Sequence, residues 1–255
     1  MKSIAIMQPT FLPWIGYFDL IDQVDIFIYL DTVEFSKQSW QQRNQIKSVS
    51  GSTWINIPVT YSKSLRTTIK DAEVGNLDLF NKIIAQLQHS YAKSKYSKEN
   101  LSWITQYLSQ LTKGQLLGQV NINFIEKVCS TLNINTPRYT ASNLPHAATR
   151  HQRLIDICKH FNATEYISPV GAYTYLQDDM CFFKQAGIDV KFHQYDHPIY
   201  NQPHGAFLSH MSIIDLILNE GANSLEILRK GRLPPQSNIG VSKVVESFDS
   251  ADLTK

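Results

Sequence analysis

The apolar positions change period several times along the chain, and each change marks an element. SIAIM, Ser3–Met7, is a short apolar run stopped by Gln8-Pro9, the pattern of a buried strand. Over Gly16–Val24 (GYFDLIDQV) the spacing of Phe18, Ile21 and Val24, with Leu20 beside them, predicts a helix. DIFIYL, Asp25–Leu30, predicts a second strand. A helix crossing between two apolar strands makes them parallel neighbours in an open sheet. Phe35–Ile46 is polar with a few aromatics, a loop or irregular strand, and Thr53–Val59 reads as a strand. The centre is helical, with amphipathic stretches at Asn76–Ser90, Lys98–Leu111 and Asn121–Leu132. After Pro137 the alternation returns: helix Arg150–Phe161, strand Glu165–Ser168, helix Leu176–Ala186, strand Asp189–Tyr195, and helix Ser209–Glu220 closed by Gly221. The predicted class is α/β: a Rossmann-like, mostly parallel sheet with a mainly helical central segment. One domain over 1–230 carries a helical insertion at about 77–135, and 231–255, rich in Pro, Ser, Asn and charge, reads as a flexible tail.

Composition changes this picture little. A net charge of +2 on 255 residues does not mark a nucleic-acid-binding protein. Cys129, Cys158 and Cys181 lack CxxC spacing, which argues against a disulfide framework and a zinc site, so three buried, reduced thiols and no metal are predicted. The first apolar run is cut by Gln8, Pro9 and Pro13, unlike a signal peptide, and no stretch reaches the length of a membrane span. These features predict a soluble cytoplasmic protein.

In an open parallel sheet, ligands sit beyond the carboxyl ends of the strands. Four polar or aromatic segments follow predicted strands: Gln8–Tyr17, Asp31, Pro169–Tyr175 and Asp196–Gln202. Read functionally, they converge on one site, with Gln8, Trp14, Tyr17, Gly171, Tyr173, Tyr200 and Gln202 binding substrate. Each also has a bland reading. Trp14 and Tyr17 can be core aromatics, Asp31 a cap, Gly171 a turn residue, and His197 an imidazole bonded to a backbone carbonyl. Arg43-Asn44 suits a phosphate or carboxylate, or is a solvated loop. Ser212 and Asp215 share a helix face, and an aspartate in so apolar a helix needs a partner, which predicts a supporting role towards a loop such as the one around Arg43. No Walker loop, GxGxxG, HExxH or GxSxG is present.

MQPTFLPWIGYFDLI, YLDTVEFSKQSWQQRN, YISPVGAYTYL, YDHPIYNQ and FLSHMSIIDLILNEG, in that order, resemble the WbqC-like family over about residues 3–228. Ser168-Pro169 stands where Ser-Gly is common in that family, and Ser209-His210 where a proline is frequent. Members are typically encoded among genes for bacterial surface polysaccharides such as O-antigen, so the resemblance implies a role in making or decorating a sugar. A weaker similarity is to nucleotidyltransferase folds with an HxGH loop. Gly16 matches the glycine, but Trp14 and Tyr17 stand at the histidine positions.

The function these features imply is transfer of an acyl or aminoacyl group, from a thioester donor, to the amine of a nucleotide-linked amino sugar. His197 is the candidate general base, Asp31 orients it or the amine, and Arg43 with Asn44 holds a pyrophosphate or the developing oxyanion. Gln8, Tyr173 and Tyr200 bind hydroxyls. An acyl carrier protein is a candidate partner. The alternatives are an ATP-dependent ligase or nucleotidyl-transfer enzyme, and a non-catalytic partner in glycan assembly.

Overall fold

Strand β1 (Ser3–Met7) is apolar on both sides because it lies mid-sheet: Ile4 and Ile6 join one apolar layer and Ala5 the other. Its neighbours in the computed structural model, which describes residues 1–78, 80–147 and 150–237, are β2 (Ile26–Tyr29) and β8 (Glu165–Ser168), both parallel to it. With β7 (Arg138–Thr140), β9 (Asp189–Tyr195) and β10 (Arg232–Gln236) they form a six-stranded sheet in the order β10-β9-β8-β1-β2-β7, in which only β10 is antiparallel. The chain winds outward from β1 through β2 to β7, then returns to the other side of β1 and continues through β8 to β9. The winding therefore reverses between β1 and β8.

Helices α1 (Ile15–Gln23) and α4 (Leu117–Leu132) pack on the face that carries Ala5, Phe27 and Tyr29. Helices α2 (Phe80–Tyr91), α3 (Ser97–Ser109), α8 (Ile213–Glu220) and α9 (Ser224–Lys230) extend that layer. The opposite face, with Ile4, Ile6, Ile26 and Ile28, is covered by α5 (Arg150–His160), α6 (Tyr173–Leu176) and α7 (Met180–Gln185). Between β2 and α2 lie the hairpin of β3 (Arg43–Ser48) with β4 (Gly51–Asn56) and the small pair β5 (Val59–Thr60) and β6 (Glu73–Val74).

Several sequence expectations need correction. The helix predicted over Leu176–Ala186 is two short helices joined by a 3-10 turn at Gln177–Asp179. The helix predicted from Ser209 starts at Ile213, with Ser212 as its N-cap. Residues 232–236, assigned to the tail, form the edge strand β10; residues 238–255 lie outside the described residues. Cys181 is exposed, whereas Cys129 and Cys158 are buried and burial pushes both thiols up to about 12. Among the described residues no helix is long and apolar enough to cross a membrane.

A buried ion network fastens β10 to the core. Asp19, fully buried in α1, accepts from Nε2 of His193 on β9 and from Nε of Arg232 on β10, each at 2.8 Å. Arg232 also reaches Asp22, which Arg229 grips through two nitrogens. These two arginines hold the Asp22 carboxyl below the usual carboxylate range, against the opposing effect of burial. Arg232→Met leaves Asp19 one donor short and is expected to lower stability by about 2 kcal/mol. An unchanged urea midpoint would show that the network contributes nothing.

Candidate functional site

Because β1, β2, β7, β8 and β9 run the same way, the segments that follow them leave the same edge of the sheet. Register sets their order along it. Met7 pairs with Tyr29, and Leu30 N–H donates to the Met7 carbonyl at 2.8 Å, which places Gln8 beside Leu30 and Asp31. Ala5 pairs with Ile167, which brings Pro169 level with Met7 on the other side of β1.

The first loop, Gln8–Trp14, is pinned at almost every residue. The Gln8 side-chain oxygen accepts from the Gln41 amide at 2.7 Å. Asn121 on α4 donates to the carbonyls of Pro9 (3.1 Å) and Gln41 (2.8 Å). Asn44, buried on β3, donates to the Phe11 carbonyl at 3.2 Å, and Phe11 N–H bonds to Trp40. Tyr17 is a core residue whose hydroxyl donates to the Gln8 carbonyl at 3.2 Å, and burial raises its pKa. Its ring therefore does not face the crevice. Gly16 leaves room for the Trp14 ring. A Cβ there would meet the Trp14 ring at 2.2 Å. Gly16→Ala must displace that ring and is expected to cost about 1–3 kcal/mol, read as a fall in melting temperature with loss of the Trp14 near-UV signal.

Trp14 is the base of an aromatic cluster at the end of β9. It stacks on His210 (4.9 Å between centroids) and His197 (6.2 Å), and meets Tyr195 edge-on at 5.6 Å. Nδ1 of His197 lies 3.0 Å from the Pro198 carbonyl, which can only accept, so Nδ1 carries the hydrogen and Nε2 the lone pair. Nε2 is buried with no hydrogen-bond partner. Burial first, and His210 second, lower this imidazole to about 4, so it is neutral at physiological pH. Below the cluster, Asp215 accepts at 2.8 Å from each of Tyr91, Tyr200 and Gln202. Gln202 also clasps both backbone groups of Leu208's peptide environment, accepting from its N–H and donating to its carbonyl. The buried Lys47 ammonium donates to the carbonyls of Gly205 and Ala206. Asp215 thus supports the 200–208 loop rather than the segment around Arg43, while Ser212 joins α8 to β3 through its N–H on the Gln45 carbonyl.

Trp14, His197 and Tyr200 are brought together; Asp31 is not part of that group. Both its oxygens accept from Ser142, one from the N–H (2.9 Å) and one from the hydroxyl (2.6 Å), tying the end of β2 to the end of β7. From β9 to β2 is three strand spacings, roughly 14 Å, so Asp31 does not orient His197. It lines instead a cavity of about 390 Å³ with Lys70, Asp71, Thr140, Ser142, Asn143 and the start of α4. Arg43 lies 4.2 Å over the Trp54 ring at the hairpin, and its neighbour Asn44 is engaged with Phe11. Gly171 has open space around its Cβ position after β8, and Tyr173 packs edge-on against Phe192 at 5.0 Å.

Two arginines treated in sequence only as helix positions also reach this edge. Arg153 on α5 donates to the Thr32 carbonyl (3.2 Å) and hydroxyl (3.3 Å), and Arg150 lies 4.8 Å over the Tyr175 ring. The signal available was RHQR opening the helix that precedes a strand. Among the described residues no three His, Cys, Asp or Glu side chains gather as metal ligands would.

The strand order and the convergence of strand-end segments on one edge define a Rossmann-like, doubly wound α/β protein. The model of the WbqC-like protein family matches residues 8–227, and the chain belongs to that family. It is 32% identical over 231 residues to the uncharacterized protein Rv1507c of Mycobacterium tuberculosis, an alignment that covers 90% of this chain and 98% of the relative. No solved structure matches it.

Proposed function

We propose that the protein is an enzyme of bacterial surface-polysaccharide biosynthesis, such as O-antigen assembly. It transfers an acyl or aminoacyl group to the amine of a nucleotide-linked amino sugar. The pathway follows from what is typical of WbqC-like proteins. The reaction type is carried by one observation, the buried, unpartnered His197 Nε2 lone pair in the aromatic cluster on the strand-end edge. In the step envisaged, the sugar amine attacks the carbonyl carbon of a thioester donor. The C–N bond forms, the C–S bond breaks, and the proton lost by nitrogen passes through His197 to the departing thiolate. A neutral imidazole whose other nitrogen is fixed on Pro198 is set to accept that proton. With a pKa of about 4 it does not keep it, which suits a relay. The distance from the end of β9 to the end of β1 is two strand spacings, about 10 Å. An elongated substrate can lie along this edge with its amine near His197.

The nucleotidyl-transfer alternative draws no support from the loop. Of the two residues at the HxGH histidine positions, Tyr17 is core and Trp14 is stacked among aromatics. The test is direct. Purified protein is incubated with a panel of nucleotide-linked amino sugars and of acyl and aminoacyl thioesters, including acyl carrier protein, and products are read by mass spectrometry. Amide formation is expected for one pairing. Absence of product across the panel, alongside hydrolysis or adenylylation with ATP, would replace this reading.

A further inference from the structure

We propose that Arg150 forms an anion subsite for the diphosphate of a nucleotide, with Arg153 tying the same turn of α5 to Thr32 and the Tyr175 ring as the stacking surface for the base. That the nucleotide carries an amino sugar rests on the function proposed above; the anion site does not. The two arginines are three residues apart on α5 and share a face. Arg153 touches Thr32, in the segment after β2. Arg150 touches Tyr175 in α6, after β8, through its stack and a long 3.4 Å bond to the carbonyl. β2 and β8 are the two strands that flank β1. One turn of α5 therefore bridges the end of β1, where the side chains of Gln8 and Gln41 meet. This is also where the winding of the sheet reverses and where crevices open in such folds.

The chemistry of the residues matches a phosphate. Arg150 is exposed, and among the described residues no carboxylate pairs with it. Most of its five N–H donors remain available, in the planar fork that grips phosphate oxygens two at a time. After β8, Gly171 has no heavy atom within 4 Å of its Cβ position, so no side chain fills the space beside it. Tyr175 is 44% exposed, with Arg150 over its ring, and an exposed aromatic ring is a surface on which a base can stack. Of the phosphate candidates in the sequence, Asn44 is engaged with the Phe11 carbonyl, and Arg43 lies over Trp54 on the β3–β4 hairpin rather than on α5.

Isothermal titration with inorganic pyrophosphate, and with uridine, guanosine and thymidine diphosphates, tests the assignment on the full chain. The wild type is expected to bind pyrophosphate, and Arg150→Gln to weaken it at least about tenfold, while Arg43→Gln leaves it unchanged. Tyr175→Ala should weaken the nucleoside diphosphates more than pyrophosphate. Arg150 and Tyr175 are exposed, so neither substitution threatens folding, and matching melting curves check this. No binding of any diphosphate by the wild type, or wild-type affinity in Arg150→Gln, overturns the subsite. Pyrophosphate binding lost in Arg150→Gln without any amide transfer leaves the subsite standing and removes the transferase. Transfer by Arg150→Gln with an unchanged KM does the reverse.

Discussion

Asp215→Ala is expected to lower the free energy of unfolding by about 3–5 kcal/mol. The carboxylate is fully buried and accepts three hydrogen bonds from groups on two separate segments: Tyr91 on α2, and Tyr200 and Gln202 on the loop before α8. Alanine strands all three donors in a site water does not reach, and it removes the negative charge that offsets the buried Lys47 ammonium. Urea titration measures the effect; an unchanged midpoint would mean that the loop is held without Asp215. The sign with pH is also fixed. Burial raises the Asp215 carboxyl above its ordinary value, and its three hydrogen bonds and Lys47 pull the other way without reversing that. A raised carboxyl contributes fully below the ordinary carboxylate pKa and loses its contribution as pH rises through the folded value. Asp215→Asn cannot ionise, so its stability should vary less across that interval than the wild type's.

His197→Gln is expected to reduce amide transfer by at least about 10²-fold with KM little changed. Glutamine can still bond Pro198 and fills similar space, but it offers no basic lone pair where Nε2 sits. The same variant has a second readout. An imidazole titrating near 6.5 when unfolded and at about 4 when folded gives stability that is complete above the unfolded value and is lost as pH falls through the folded one. His197→Gln should remove that acid slope. A variant that loses the slope but keeps full turnover would make His197 a packing residue and pass the proton relay to another group.

The elements with one clear period were legible in the sequence. Glu165–Ser168 and Asp189–Tyr195 form strands with the predicted ends, and β1–α1–β2 lies within a residue or so of its pattern. β7 was missed because an edge strand of three residues, none of them buried, leaves no apolar run to read. The convergence of strand-end segments was legible because it follows from parallel strands alone. The pairings within it were not. Asp31 meets Ser142 across 111 residues, and His193 meets Asp19 across 174, and no local spacing records such contacts. Tyr17 shows the limit most plainly. Its place in the loop-to-helix turn suggested a ligand contact, whereas its ring fills the core and only its hydroxyl reaches the loop.

The outermost strand, β10, carries Pro234 and Pro235 where its pairing with β9 slips out of register, between Leu233 and Gln236. Proline has no N–H to donate, and neighbouring residues of a strand point their N–H groups to opposite sides, so one of the two prolines removes a donor from the open rim and the other from the ladder with β9. That rim is thereby a poorer template for a second molecule, and the residues that hid the strand from its sequence pattern also work against edge-to-edge aggregation.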